Sequence, residues 1–231
     1  MKAVVRMPDI YIEDILTPNY DDLLLDVLDH KHSRYILKGG RGSLKSSFCG
    51  TVIPLVMIEP GNENVNALVS ETYRTIKSIR PACRFGISPQ GNNSNNYNGQ
   101  FSDVALWLQT PGYVDYVMPQ VYWGYGYTTK GGSTDYAFEN VTRTWAAMPR
   151  DASVSLYFGL GAYRIGDGDG GNYDHNTDQW NTGHELADMV GTLREAGAQG
   201  YALYRYDFLF KNGAYPALAE AECAALAEVN R

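Results

Sequence analysis

Apolar residues along this chain fall into two patterns, short unbroken runs and helical stripes, and from about Asn64 onward the two alternate. "NVNALVSETYRTIKSIRP" carries Val65, Leu68, Val69, Tyr73 and Ile76 on one helical stripe. "CRFGIS" then reads as a strand, "FSDVALWLQTPG" as a helix with Val104 and Leu108 inward, and "VDYVMPQVYW" as a strand. "DYAFENVTRTWAAMP" is a helix with Phe138, Val141, Trp145 and Met148 on one side, and "SVSLYFGLGAY" a strand. A helix follows with Leu186, Met189, Val190 and Leu193 inward. Thr182 and Glu185 are spaced as a capping box at its start, and Gly197 suits its C′ position. "GYALYRYDF" is the last strand and "AYPALAEAECAALAEVN" the last helix. Continuous apolar strands between amphipathic helices predict a parallel sheet with helices packed outside. Its strands fall at residues 84–88, 114–122, 153–159 and 200–205.

The front of the chain has a different rhythm. "YDDLLLDVLDH" has leucines at helical spacing, "SRYILKGG" is a short strand running into glycines, and "LKSSFCGTVIPLVMIEPG" begins a helix that Pro54 kinks or ends. "IEPGNENVN" is a break.

The formal net charge of −7 argues against nucleic-acid binding through a broad basic surface. Cys49, Cys83 and Cys223 are odd in number and widely spaced, with neither metal spacing nor a disulfide framework. The opening "MKAVVRMPDIYIEDILTP" lacks the apolar run of a signal peptide, and no stretch has the length of a membrane span. A cytoplasmic product with no membrane partner is the expectation. "DGDGGNYDHNTD" suggests a calcium loop, but Gly171 and Asn172 break the EF-hand pattern at its fifth and sixth positions. No metal site is expected there, only a solvated loop.

The chemistry gathers at the strand exits, where parallel α/β proteins bind ligands. Ser88, Gln90 and Asn92 follow the first strand; Gln120, Tyr122 and Trp123 end the second; Tyr163 follows the third; Tyr206 and Asp207 follow the fourth. Flat amphipathic rings with amides beside them suit a sugar, whose C–H faces need rings and whose hydroxyls need polar partners. For any one ring, packing is the plainer account. Asp207 is the one carboxylate nominated as catalytic, as an acid or an anchor; a glycosidase needs two, and no second stands out. Asp115, at the start of its strand, fits a structural partner better than a catalyst.

"NVNALVSETYRTIKSIRPACRFGISPQGN", "YVDYVMPQVYW", "LYFGLGAYRIG" and "ALYRYDFLF" together resemble the glycosyl hydrolase-like 10 family, over roughly residues 62–231. The resemblance implies the C-terminal half of a TIM-type (β/α)8 barrel acting on or binding bacterial cell-wall glycan. It also implies an incomplete catalyst, since the family's acidic first half has no counterpart here, and relatives located in the cell envelope.

"GGRGSLKSS" nearly fits a P-loop, with Gly39, Gly42, Lys45 and Ser46 placed for nucleotide binding and Leu44 where glycine is expected. Lys45 would reach the β/γ-phosphates and Ser46 would bind Mg²⁺. With its flanks this stretch resembles the large terminase subunit of tailed phages. The alternative function is therefore an ATP-binding fragment of a DNA-packaging terminase, with Mg-ATP the only cofactor implied. The two resemblances divide the chain into a P-loop-like strand–loop–helix fragment (1–61) and a half-barrel (62–231), as in a chimera. Exposed sheet edges would suit a homodimer.

Overall fold

Helix α1 (Asn62–Ile79) presents Val69 to the core and half-buries Val65 and Tyr73, while Leu68, expected on the same stripe, is exposed. The structure, a computed structural model, describes residues 62–169 and 177–231. The helix, strand and phosphate loop expected in the first 61 residues lie outside the described residues, and so does the centre of the acidic loop after Asp169.

Four strand positions follow in chain order, the second split into β2 and β3. β1 (Gly86–Ile87) pairs with β2 (Tyr116–Val117), β2 and β3 (Gln120–Val121) both pair with β4 (Ser155–Leu160), and β4 pairs with β5 (Gly200–Leu203). Every pairing is parallel, as expected. Strands adjacent in sequence are adjacent in space, with helices in the crossovers. The order never reverses, as it would at the switch point of a doubly wound sheet, and it is consistent with an arc of a TIM-type barrel. The strand expected at 114–122 is split because Pro119 has no N–H to give the ladder. Pairing resumes on both sides: Met118 donates to Ile87 O and Gln120 to Pro89 O, each at 2.9 Å.

The two faces of the sheet differ. Val117, Val121, Leu156, Phe158 and Leu160 are at most 1% exposed. They share one core with the helices α3 (Val104–Gln109), α4 (Phe138–Ala146) and α6 (Glu185–Glu195). Phe138, Val141, Trp145, Leu186, Met189, Val190 and Leu193 are buried in it as predicted, and Met148 is half-exposed just beyond α4. The alternate residues Tyr116, Gln120, Ser155 and Tyr157 stay partly exposed on the opposite face. The unbroken apolar strands of the sequence thus include tyrosines that line an open surface, since a phenol can pack on one side and stay wet on the other.

Two helix starts were not foreseen. α2 (Asn93–Gln100) has no apolar stripe; its buried residue is Asn96, which exchanges hydrogen bonds with the Gln90 backbone at 2.8 and 3.1 Å. The expected capping box at Thr182 and Glu185 does not form. The residue before α6 is His184, and the free N–H groups of Glu185 and Leu186 donate instead to the Glu222 carboxylate, at 2.7 and 3.2 Å. Glu222 belongs to the last helix, α8 (Pro216–Val229). The other end of α6 follows the sequence: Gly197 has φ 75°, and Ala198 N–H reaches back to Leu193 O at 3.0 Å.

Candidate functional site

The open face of the sheet deepens at the strand exits into a cleft of ≈ 440 Å³, bounded by Ser88, Met118, Gln120, Tyr122, Ala202 and Tyr204 among others. Strand alternation builds it: Gln120 and Tyr122 point one way and Val121 the other. The Gln120 amide donates to Ser88 O at 3.0 Å, and the Ser88 hydroxyl donates to Met118 O at 2.8 Å, so both side chains are oriented.

Three tyrosines form the cleft's aromatic side. Tyr122 and Tyr204 stack nearly parallel, with centroids 5.8 Å apart and planes 18° off. Tyr163 stands edge-on to both, at 5.7 and 6.3 Å. Tyr204 is 51% exposed, so it presents free ring surface. Burial, with Tyr163 and Tyr204 adding to it, pushes the Tyr122 phenol up to about 12, and burial also raises Tyr163 against the Arg164 cation beside it. Both therefore stay neutral at physiological pH and can donate hydrogen bonds. Arg164 holds the strand end itself, donating from Nε to Tyr122 O at 3.1 Å.

The turn beyond Tyr122 is fixed by a buried acid the sequence reading overlooked. Asp169 is 5% exposed and accepts from Gly124 N–H at 2.8 Å, Trp180 Nε1 at 3.1 Å and Gln179 Nε2 at 2.9 Å. Burial raises its pKa against these three donors and Arg164. A Cβ on Gly124 would collide with the Gln179 amide and push it off its bonds to Asp169 and Gly126 N–H.

Of the expected sugar-binding residues, Ser88, Gln120 and Tyr122 line this cleft, and Tyr163 backs it. The others lie at the same strand exits but outside it. Trp123, one residue past Tyr122, packs on Tyr136 and Tyr127 at 5.3 and 5.9 Å. Gln90 accepts from Asn95 Nδ2 at 2.7 Å, and Asn92 caps α2 by accepting from Asn95 N–H at 3.2 Å. Tyr206 and Asp207 sit in the first turn of a short helix, α7 (Tyr206–Phe210), because the chain turns helical directly after Arg205. Tyr206 packs at a tilt on Phe210, with centroids 4.8 Å apart, and half-exposed Asp207 faces Arg205 and Lys211 at 3.5 and 3.8 Å. Period-two alternation already separates Tyr122 from Trp123, and it was the available signal for this placement.

Asp115 takes the structural role expected of it, with Lys77 Nζ at 2.8 Å and Phe85 N–H at 2.6 Å. Burial would raise its pKa, but Lys77, Phe85 and Tyr73 outweigh that and hold it below the usual value. Gly39, Gly42, Lys45 and Ser46 lie outside the described residues. Among the described residues no cluster of three or more His, Cys, Asp or Glu side chains is placed to hold a metal ion, and no helix is long and apolar enough to cross a membrane.

A parallel (β/α) arc with a cleft of tyrosines, an amide and hydroxyls at its strand exits has the make-up of a carbohydrate-active α/β protein. The chain belongs to the Glycosyl hydrolase-like 10 family, whose model matches residues 44–178. That span includes Ser88, Gln120, Tyr122, Tyr163 and Asp169, and reaches back to Lys45 and Ser46. The chain is 32% identical over 118 residues to the glycosyl hydrolase YngK of Bacillus subtilis (strain 168), across 45% of this chain and 22% of that protein. It is 27% identical over 118 residues to the glycosyl hydrolase DigH of Escherichia coli (strain K12), across 45% of this chain and 25% of that protein. The chain thus covers about a quarter of the length of these curated relatives. No solved structure matches it.

Proposed function

We propose that this glycoside hydrolase-like protein binds bacterial cell-wall glycan in the cleft at the strand exits. Tyr204 and Tyr122 stack on a sugar face, and Gln120 and Ser88 bond its hydroxyls. The observation that carries the reading is the stacked, half-exposed tyrosine pair beside an oriented amide at the exits of parallel strands. Family membership and the names of the relatives, which are glycosyl hydrolases, support a carbohydrate ligand.

The described residues supply a binding wall rather than a complete catalyst. Glycoside hydrolysis uses two carboxyl groups facing one bond, roughly 5–9.5 Å apart. No carboxylate lines the cleft among the described residues. Asp207 remains the candidate acid or anchor; it stands outside the cleft between two cations. Binding without release of reducing ends is therefore expected from this chain.

Titrating peptide-free glycan strands into the protein, with tryptophan fluorescence or heat as the readout, tests the proposal. Tyr204→Ala is expected to weaken binding about tenfold or more and to leave the melting temperature nearly unchanged, because the ring is half in solvent. Binding equal to the parent's would remove the cleft from consideration.

A further inference from the structure

A second opening lies on the other side of the β1 and β3 exits. This groove of ≈ 500 Å³ runs between the start of α2 and the outer face of α4, with Asn93 and Ser94 on one bank, Asn140 and Arg143 on the other, and Asp135 and Tyr136 at the end. It touches the first cleft through one residue. The Gln120 side chain lines the cleft, while its carbonyl accepts from the N–H of Gly91, which lines the groove, at 3.1 Å. Gly91 also lets the chain pass close to Gln120 and Trp123. A Cβ there would lie 2.7 Å from Gln120 O and 2.8 Å from the Trp123 ring.

The lining is amides, hydroxyls, one carboxylate, one guanidinium and one ring. The Asp135 carboxylate and the Tyr136 hydroxyl make no hydrogen bond among the described residues. Arg143 spends one bond on Asn140, at 3.1 Å, and keeps its other donors. The Tyr136 ring is steadied by Trp123 behind it at 5.3 Å, which gives that tryptophan a supporting part. Opposite charges at Asp135 and Arg143 leave the groove with no net call for an ion. Mixed donors and acceptors around a braced ring suit a neutral, hydroxyl-rich ligand.

We infer that this groove is a second carbohydrate subsite, which takes a further sugar of a polymeric glycan whose neighbouring part occupies the Tyr122–Tyr204 cleft. The inference rests on the proposed glycan-binding reading and adds a length requirement: a long strand gains contacts that a short one cannot reach.

The test compares a disaccharide and an octasaccharide of peptide-free cell-wall glycan, titrated into the full chain and three variants. The double variant Asp135→Ala/Tyr136→Ala is expected to raise the octasaccharide Kd about tenfold and leave the disaccharide Kd unchanged. Tyr204→Ala is expected to raise both. Arg143→Ala, on an exposed helix face, repeats the groove result without touching the Tyr136–Trp123 packing. If the groove variants bind the octasaccharide as the parent does while Tyr204→Ala weakens it, the subsite is overturned and the cleft stands. If the parent binds neither saccharide, the glycan-binding reading falls and the subsite with it.

Discussion

Asp169 shows how one side chain can hold the wall of a cleft in place without belonging to it. Its two oxygens collect three N–H donors from a backbone amide, an indole and a side-chain amide, and the backbone donor is the turn just past Tyr122. Removing the carboxylate leaves those donors buried and unpaired, which costs roughly 1–3 kcal/mol for a buried group. Asp169→Ala is therefore expected to lower stability by about 2–4 kcal/mol in denaturant melts. Glycan affinity should fall with it, because Tyr122 loses its fixed exit. Asp169→Asn keeps the acceptor at one oxygen and should recover most of both.

At the scale of elements, the informative contact is between α6 and α8. Glu222, fully buried, caps α6 with both carboxylate oxygens, while Glu185 is 4% exposed and its Oε1 has no hydrogen-bond partner. Burial raises both acids, Glu185 to about 8 with Glu222 adding to it, and Glu222 to about 7 against the two N–H donors. Folded protein thus keeps protons that the unfolded chain gives up above pH 4.5. The stabilisation is fully present below that pH and is lost as pH rises through 7 to 8, by a few kcal/mol on the order of magnitude that such shifts imply. Asp115, whose pKa is lowered, stays ionised over this range and contributes no slope. Thermal melts at pH 5, 7 and 9 should show falling stability, and Glu185→Gln should flatten the profile. A melting temperature that rises from pH 5 to pH 9 in the parent would contradict the buried pair.

Across the whole described unit, one continuous core runs from Val69 of α1 to Leu226 of α8. Trp107, Trp145 and Trp180 are each 1% exposed and sit around it on α3, α4 and the short helix α5 (Thr177–Trp180). A cavity made in the middle should therefore be felt everywhere in the unit. Met189→Ala is expected to cost about 2–5 kcal/mol, with tryptophan fluorescence and far-UV circular dichroism moving to the new midpoint together. Separate midpoints would mean that the helices melt independently of the sheet.

The parallel sheet and its helices were legible in the sequence because their signals are local. Helical stripes such as Phe138, Val141 and Trp145, and apolar runs such as that of β4, repeat over a few residues, and the fold class follows from their alternation. The same reading placed Ser88, Gln120 and Tyr122 at the strand exits. Tertiary structure alone decided the pairings between distant positions. Glu222 meets the start of α6 across 37 residues, Asp169 meets Gly124 across 45, and Tyr204 arrives beside Tyr122 only when β5 docks on β4. No short-range pattern carries such contacts: a buried asparagine, an acid in an apolar stripe and one tyrosine among many look ordinary until the elements pack. The sequence set which residues could line a cleft, and the packing of the elements chose which of them do.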